Sequence, residues 1–457
     1  MARTVALLTW TAGQGMIGCV KRGSPASAPP TEGRPTTQAV RGSVRTAPAV
    51  PAMSADELRI RSWIAQHHAE QVGFLQRVVD VNSGTMNTTG VRAVGRAFAD
   101  ELRALGFEPR WIDMPASMQR AGHLFAERPG RRGKRLLLIG HLDTVFEGEG
   151  QRFVRIDSNT AKGAGSGDMK GGDAIILYAL KALQSIGALD GTRLIVAFTG
   201  DEESAGDPLS LSRRDMVEAA KRSDVALAFE GGSRDNATVA RRGASSWLLQ
   251  VNGRQGHSGG IFSAGAGDGA IFEAARILNA FREQLGDQQY LTFSPGVIVG
   301  GTDVTYDTVH VAGSATSKLN IIARAVTVSG DLRFFSEEQK ERTRATMREI
   351  ASHNLPGTSA RIAFSDEYPA MAPTPANYAL LAAYDSVSRA LGYGPVQALD
   401  PGRRGAGDIS FVAPFVAGLD GLGASGAGSH TPDERVDLRS LEMQTERAAL
   451  MIYRLTR

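Results

Sequence analysis

Three short apolar runs, each ending in acidic or imidazole side chains, constrain this chain more than anything else in it. Leu136-Leu137-Leu138-Ile139 runs into Gly140-His141-Leu142-Asp143, Leu194-Ile195-Val196-Ala197-Phe198-Thr199 into Gly200-Asp201-Glu202-Glu203, and Val225-Ala226-Leu227-Ala228-Phe229 into Glu230. Continuous apolar runs of this length read as strands buried on both faces, as inside a parallel sheet. Between the first two lies Gly165-Ser166-Gly167-Asp168-Met169-Lys170-Gly171-Gly172, which opens an apolar helical pattern. Ligands of open α/β sheets sit beyond the carboxyl ends of the strands, so these clusters are expected to converge on one site.

The surrounding chain supports that class. Ser54-Ala55-Asp56-Glu57 is a capping box that starts a helix. Val91, Val94, Phe98, Leu102 and Leu105 mark a second amphipathic helix stopped by Gly106, followed by strands around residues 109–112 and 123–127. Helices alternating with strands predict an α/β domain with a mostly parallel sheet and helices on both faces. After Gly232 the pattern changes: residues 246–251 alternate, and helices over 270–285 and 337–353 separate further strands up to 360–364. That βαββαβ order predicts a smaller ferredoxin-like α+β domain interrupting the first. The first domain's pattern then returns, with a helix over 377–391, a turn at Gly405-Ala406-Gly407-Asp408 whose glycines read as room for a substrate's backbone to pass closely, a strand at 415–418 and a last helix near 441–455. The expected divisions are residues 1–53, 54–242, 243–365 and 366–457.

Composition removes several function classes. Of a net charge of +3, six basic residues and one acidic residue lie within the first 50, so that segment carries +5 and the remainder −2. A mildly acidic folded part is no phosphate-binding surface, and nucleic acid is not an expected partner. The single cysteine, Cys19, excludes an intrachain disulfide and a cysteine-based zinc site. Residues 21–53 are rich in Pro, Ser, Thr, Ala and Arg and read as a disordered tether. Before them, Arg3, Val5-Ala6-Leu7-Leu8 and Met16-Ile17-Gly18-Cys19 resemble a short lipoprotein signal ending at a lipidated cysteine, although Thr9, Thr11, Gln14 and Gly15 interrupt the apolar stretch. The leader therefore reads either as a periplasmic or envelope-anchoring signal or as a cytoplasmic extension. No later segment is long and apolar enough to cross a membrane.

The order His141-x-Asp143-Thr144, Gly165-x-Gly167-Asp168-Met169-Lys170-Gly171-Gly172, Asp201-Glu202-Glu203, Phe229-Glu230 and Gly428-Ser429-His430-Thr431-Pro432 resembles the M20 family of co-catalytic zinc metallopeptidases, within it the glutamate carboxypeptidase type. The resemblance runs from Ser54 to the C-terminus. It implies two divalent ions, most plausibly zinc, with His141, Asp168 and Glu230 holding one and Asp168, Glu203 and His430 the other, Asp168 being shared. Two such ions polarise a carbonyl and activate a water. Asp143 would accept from the His141 imidazole and fix its tautomer, and Glu202 would be the general base. The resemblance also implies a homodimer, in which His257 of the inserted domain reaches a neighbouring subunit's site as an oxyanion donor. Asn320 and Arg333 would grip the substrate's free carboxylate, Arg by paired charge-assisted bonds.

The implied reaction is hydrolysis of an amide that releases a C-terminal amino acid from a peptide or N-acyl amino acid. Dipeptidase, aminoacylase or non-peptide amidohydrolase activity on the same metals is the alternative. A lipoprotein that binds peptides without cleaving them would have no need of all five ligands and Glu202. Two positions depart from the family pattern. Glutamate-releasing members carry an arginine near the place of Glu367, which would repel an acidic side chain, and Ala323 stands where proline is common.

Overall fold

The computed structural model describes residues 52–148 and 151–457. The Cys19 leader and most of the tether lie outside the described residues, and no helix among those described is long and apolar enough to cross a membrane.

A six-stranded sheet runs in the order Glu108–Ile112, His123–Arg128, Thr192–Thr199, Arg132–His141, Val225–Ala228, Gly418–Leu419. Its last four strands are mutually parallel, while the first two add an antiparallel edge. Leu136 and Leu138 enter one apolar cluster and Leu137 and Ile139 another on the opposite face, as the two-residue period of a strand requires. Helices therefore cover both faces. Lys170–Ser185 lies between Ala55–Val79 and Leu438–Leu455 on one side, and Arg214–Lys221 packs with Ile409–Val412 on the other. Burying each large apolar side chain contributes roughly 1.5–3 kcal/mol, which is why these runs tolerate no polar alternation. The expected capping box is present: the Ser54 hydroxyl accepts from the Glu57 amide and the Glu57 carboxylate from the Ser54 amide. The strand expected at 415–418 forms later, at Gly418–Leu419, because Phe415 and Val416 still bond back to Val412 at the end of the preceding helix.

The second sheet is antiparallel, in the order Thr292–Gly301, Ala325–Phe334, Gly243–Gly253, Thr358–Asp366. Helices Gly269–Leu285 and Glu337–Ser352 pack on one face over Trp247, Leu249, Val328 and Leu332, giving the ferredoxin-like arrangement. The other face is open, and a hairpin, Asp303–Asp307 with Ala312–Thr316, folds over it through a bond between the Tyr306 and Ser329 hydroxyls. Neither that hairpin nor a third small sheet, which pairs Gly426–Ala427, Arg435–Asp437, Thr160–Lys162 and Val154–Arg155, was expected from periodicity. Their strands are too short to show any.

Candidate active site

Asp168 lies between two histidines, one carboxylate oxygen facing each. Its Oδ1 is 3.3 Å from His141 Nε2 and its Oδ2 3.2 Å from His430 Nε2. His141 Nε2 is also 3.7 Å from Glu230 Oε1, and His430 Nε2 is 3.2 Å from Glu203 Oε2. All five expected ligands thus meet. Glu202 joins them, with ligand atoms of His141, Glu202 and Glu230 within 4.8 Å of one another. Four of the six residues end or follow parallel strands, and Asp168 lies two residues before helix Lys170–Ser185. His430 sits in the loop between two strands of the small sheet, at φ 63°. A left-handed conformation costs a non-glycine residue roughly 1–2 kcal/mol and recurs at functional sites.

Buried groups hold these residues in place. His141 Nδ1 is 3.0 Å from the Asp143 carbonyl oxygen and 3.5 Å from the Asp143 carboxylate, so the imidazole is oriented mainly by the backbone of that residue. The Asp143 carboxylate instead accepts from the Thr85 hydroxyl (2.7 Å) and from the amides of Glu202 (3.0 Å) and Glu203 (3.1 Å). The expected side-chain acceptor is therefore also the anchor of the Glu202 loop, because the end of its strand faces the end of the neighbouring one. Glu434, which sequence reasoning missed, does the same for Asp168. It accepts from the amides of Gly165 (3.0 Å), Gly167 (2.8 Å) and Asp168 (3.0 Å). The local signal was an acid four residues beyond His430; the glycine-rich loop that it serves lies 266 to 269 positions earlier in the chain. Lys170 of the same motif turns away, donating to the carbonyls of Val78 (3.1 Å) and Val81 (3.0 Å), and burial brings its ammonium down to about 8.

A second missed group lies beneath the Glu202 loop. Arg213 is buried, pairing with Asp201 and, through Nε, with Asp408 (2.7 Å). Asp408 also accepts from Thr199 (2.6 Å). The turn at 405–408, expected to admit substrate, is thus occupied from within: Arg241 donates to the carbonyls of Gly405 and Ala406, and a Cβ on Gly407 would meet its guanidinium.

Crowded carboxylates dominate the electrostatics. Burial, with Asp168 beside it, pushes Glu230 up to about 7 against the pull of His141. Burial likewise raises Glu202 well above the usual carboxylate range, with Glu230, Asp408 and Glu203 acting in the same direction. Bonds to Asp168 and Glu203 bring His430 up to about 10. Among the described residues, no lysine or arginine bonds to Asp168, Glu203 or Glu230; the imidazoles take the place of cations. Nitrogen and oxygen donors only, with one carboxylate facing both imidazoles, fit two divalent metal ions.

The model of peptidase family M20/M25/M40 matches residues 137–454. The chain belongs to this family. It is a metal-dependent hydrolase, as membership of the family implies, and the donor set fits the metal. Carboxypeptidase G2 of Pseudomonas sp. (strain RS-16) is 27% identical over 392 residues, covering 83% of this chain and 87% of that protein. Succinyl-diaminopimelate desuccinylase of Gluconacetobacter diazotrophicus is 26% identical over 364 residues, covering 78% and 89%. Among solved structures, the aminopeptidase PepT of Bacillus cereus shares the fold with a TM-score of 0.68 at 17% identity, covering 85% of this chain and 99% of that one. The proteins this chain resembles are thus named for different reactions.

Of the remaining expected residues, Arg333 lies on a strand of the second sheet, while His257 and Asn320 lie in loops, the first after strand Gly243–Gly253 and the second before strand Ala325–Phe334. His257 is exposed, and its Nδ1 accepts from the Gly259 amide at 3.1 Å. The Ser258 amide donates to the Asn320 carbonyl at 2.9 Å, so His257 and Asn320 are neighbours. Arg333 lies on the open face of the sheet, its Nε donating to Asp331 at 3.1 Å. None of the three bonds to a cluster residue. Glu367 is exposed, as is Leu319 beside Asn320.

Proposed function

We propose that this peptidase hydrolyses the amide bond preceding a free carboxylate, releasing a C-terminal amino acid from a peptide or an N-acyl amino acid. The observation that carries the reading is the position of Asp168 between His141 and His430, with Glu202 half-buried beside them. Two zinc ions held by the five ligands would supply the polarising charge for the scissile carbonyl and the attacking water. Asp168 would be shared, His141 and Glu230 completing one set and Glu203 and His430 the other. Glu202 would take the proton of the attacking water and return it to the leaving amine. Asp143 holds the amides of Glu202 and Glu203, so the base and the adjacent ligand are placed together.

Recognition falls to the second sheet. The Asp331 bond to Arg333 Nε leaves both terminal nitrogens of the guanidinium for a substrate carboxylate, with Asn320 as a second donor. A cavity of about 420 Å³, lined by Trp247, Leu248, Tyr306, Val311, Ser329 and Asp331, the residue that Arg333 bonds, would offer space for the rest of the substrate. His257, away from the cluster of its own chain, would serve the site of a second copy. A homodimer through this sheet is supported by Ile298 on the unpaired edge strand Thr292–Gly301, 59% exposed, and by Ile271 and Phe272 on the adjoining helix, each 52% exposed. Export of the chain, with Cys19 as lipid attachment point, completes the proposal; an intact Met1 in mass spectra of the mature protein would rule it out.

Zinc-reconstituted protein incubated with a panel of N-acyl amino acids and dipeptides, each beside its C-terminal amide, tests the reading. Cleavage of the free acids alone, lost in Glu202→Gln at two metals per chain, is the expected result. Equal cleavage of acids and amides would remove Arg333 and Asn320 from recognition, and cleavage of neither would shift the reading to a non-peptide amide.

A further inference from the structure

The catalytic-base loop is held at both main-chain polar groups of one residue, Glu202, and only one of the two holds belongs to the metal-bearing strands. The Glu202 amide donates to Asp143. The Glu202 carbonyl accepts, at 2.9 Å, from the phenol of Tyr368. Tyr368 comes from neither the first sheet nor the second. It lies on the short segment that returns the chain from strand Thr358–Asp366 to the first sheet.

That segment runs beside the outgoing one. Arg241 and Met371 exchange two backbone bonds (2.9 and 3.0 Å), and the Ala244 amide donates to the Tyr368 carbonyl at 2.8 Å. Both crossings between the sheets are thus joined at Tyr368, whose ring packs edge-on against Phe411 at 4.9 Å. The direction of its hydroxyl is set as well. Arg213 Nη2 lies 3.2 Å from the phenolic oxygen, and a guanidinium can only donate. The phenol must accept that bond, which leaves its single proton for the Glu202 carbonyl. Arg213 is itself fixed by Asp201 and Asp408, so the chain of bonds from a buried ion-pair network to the base has one orientation.

We propose that Tyr368 is a positioning residue for Glu202: its phenol, anchored where the chain crosses between the two sheets and oriented by Arg213, fixes the peptide from which the base projects. The inference rests on the reading of Glu202 as general base. A movement of the second sheet about its crossings would be felt at Glu202 through this bond. The position carries no charge toward the substrate, so its effect is expected in turnover and not in substrate affinity.

The test is Tyr368→Phe, which keeps the ring and removes the hydroxyl, in zinc-loaded full-length protein. The expected result is a fall in kcat of roughly 10- to 100-fold, the scale of a misplaced catalytic group, with KM within about twofold and two metals per chain retained. In the Glu202→Gln background the same substitution should change the residual rate by less than about twofold, because residues acting through one another are not additive. An equal fall in both backgrounds, or a loss of metal or thermal stability with kcat per bound metal unchanged, would overturn the proposal. Hydrogen exchange of the segment 200–206 in the metal-loaded protein gives a readout that needs no substrate. It should quicken about 10-fold or more in Tyr368→Phe, and unchanged exchange would overturn the proposal even if the function proposed above proves wrong.

Discussion

Asp224 and Glu230 flank the same strand, Val225–Ala228, and the neighbouring strand, Arg132–His141, sets Arg135 against the first and His141 against the second. At one end the carboxylate has a cation of its own chain: Asp224 accepts from the Arg135 amide (2.8 Å) and guanidinium, and its carboxyl is brought down to about 2. At the other end Glu230 is half-buried among further carboxylates and its carboxyl is pushed up to about 7. One pair is satisfied by folding alone. The other set is short of positive charge, although its geometry is held by Asp143 and Glu434. A polar cluster whose supports are complete and whose side chains are mostly anionic has the chemistry of a cation site, and it separates the working end of the sheet from the structural one.

If that contrast holds, changes at the two ends should fail in different currencies. The largest effect is expected at Glu230→Gln, which should lower zinc affinity at one position by more than about 100-fold, since even a supporting residue is worth 10–100-fold. Metal analysis after dialysis would show it, and the metal-free variant should be at least as stable to heat as the metal-free parent, because a crowding carboxylate is gone. Loss of stability in place of metal would break the contrast. His257→Ala should cost roughly 10²–10³-fold in kcat with metals retained. Mixing it with Glu202→Gln chains should restore part of the activity if the imidazole acts across a dimer, and no recovery would place it in its own chain's site. Glu434→Ala, which frees the three amides around Asp168, should weaken zinc binding by about 10–100-fold while leaving KM near that of the parent.

The smallest effect belongs to the other end. The Asp224–Arg135 pair is more than a third exposed, so Asp224→Asn should cost under about 1 kcal/mol and leave kcat unchanged. The carboxyl is lowered on folding, so its contribution is present above about pH 4 and is lost as the pH falls through about 2. Urea titrations of the two proteins should therefore converge between those values, and a gap that persists at the acid end would assign the loss to packing.

The parallel strands were legible in advance because burial on both faces leaves uninterrupted apolar runs, and the residues that end them were legible because strand ends define a crevice. His430 was found only through a motif resemblance. What was not legible shares one property: it depends on a partner far away in sequence. Asp143 was expected to serve His141 by its side chain, yet the carboxylate is drawn to the Glu202 and Glu203 amides, which only the pairing of Arg132–His141 with Thr192–Thr199 brings near. Gly407 was read as room for substrate and is room for Arg241. Asp408 and Arg213, 195 positions apart, gave no local sign of being an ion pair.

By itself the amino-acid sequence determined the donor types, their order and the layered architecture, since hydrophobic periodicity and side-chain chemistry are local properties. Only the tertiary structure decided which oxygen of Asp168 faces which histidine, that Glu434 and Tyr368 support the site, and that His257, Asn320 and Arg333 stand apart from it. Those are matters of a few ångströms between segments remote along the chain, fixed by register and packing and not by any pattern that residues display alone.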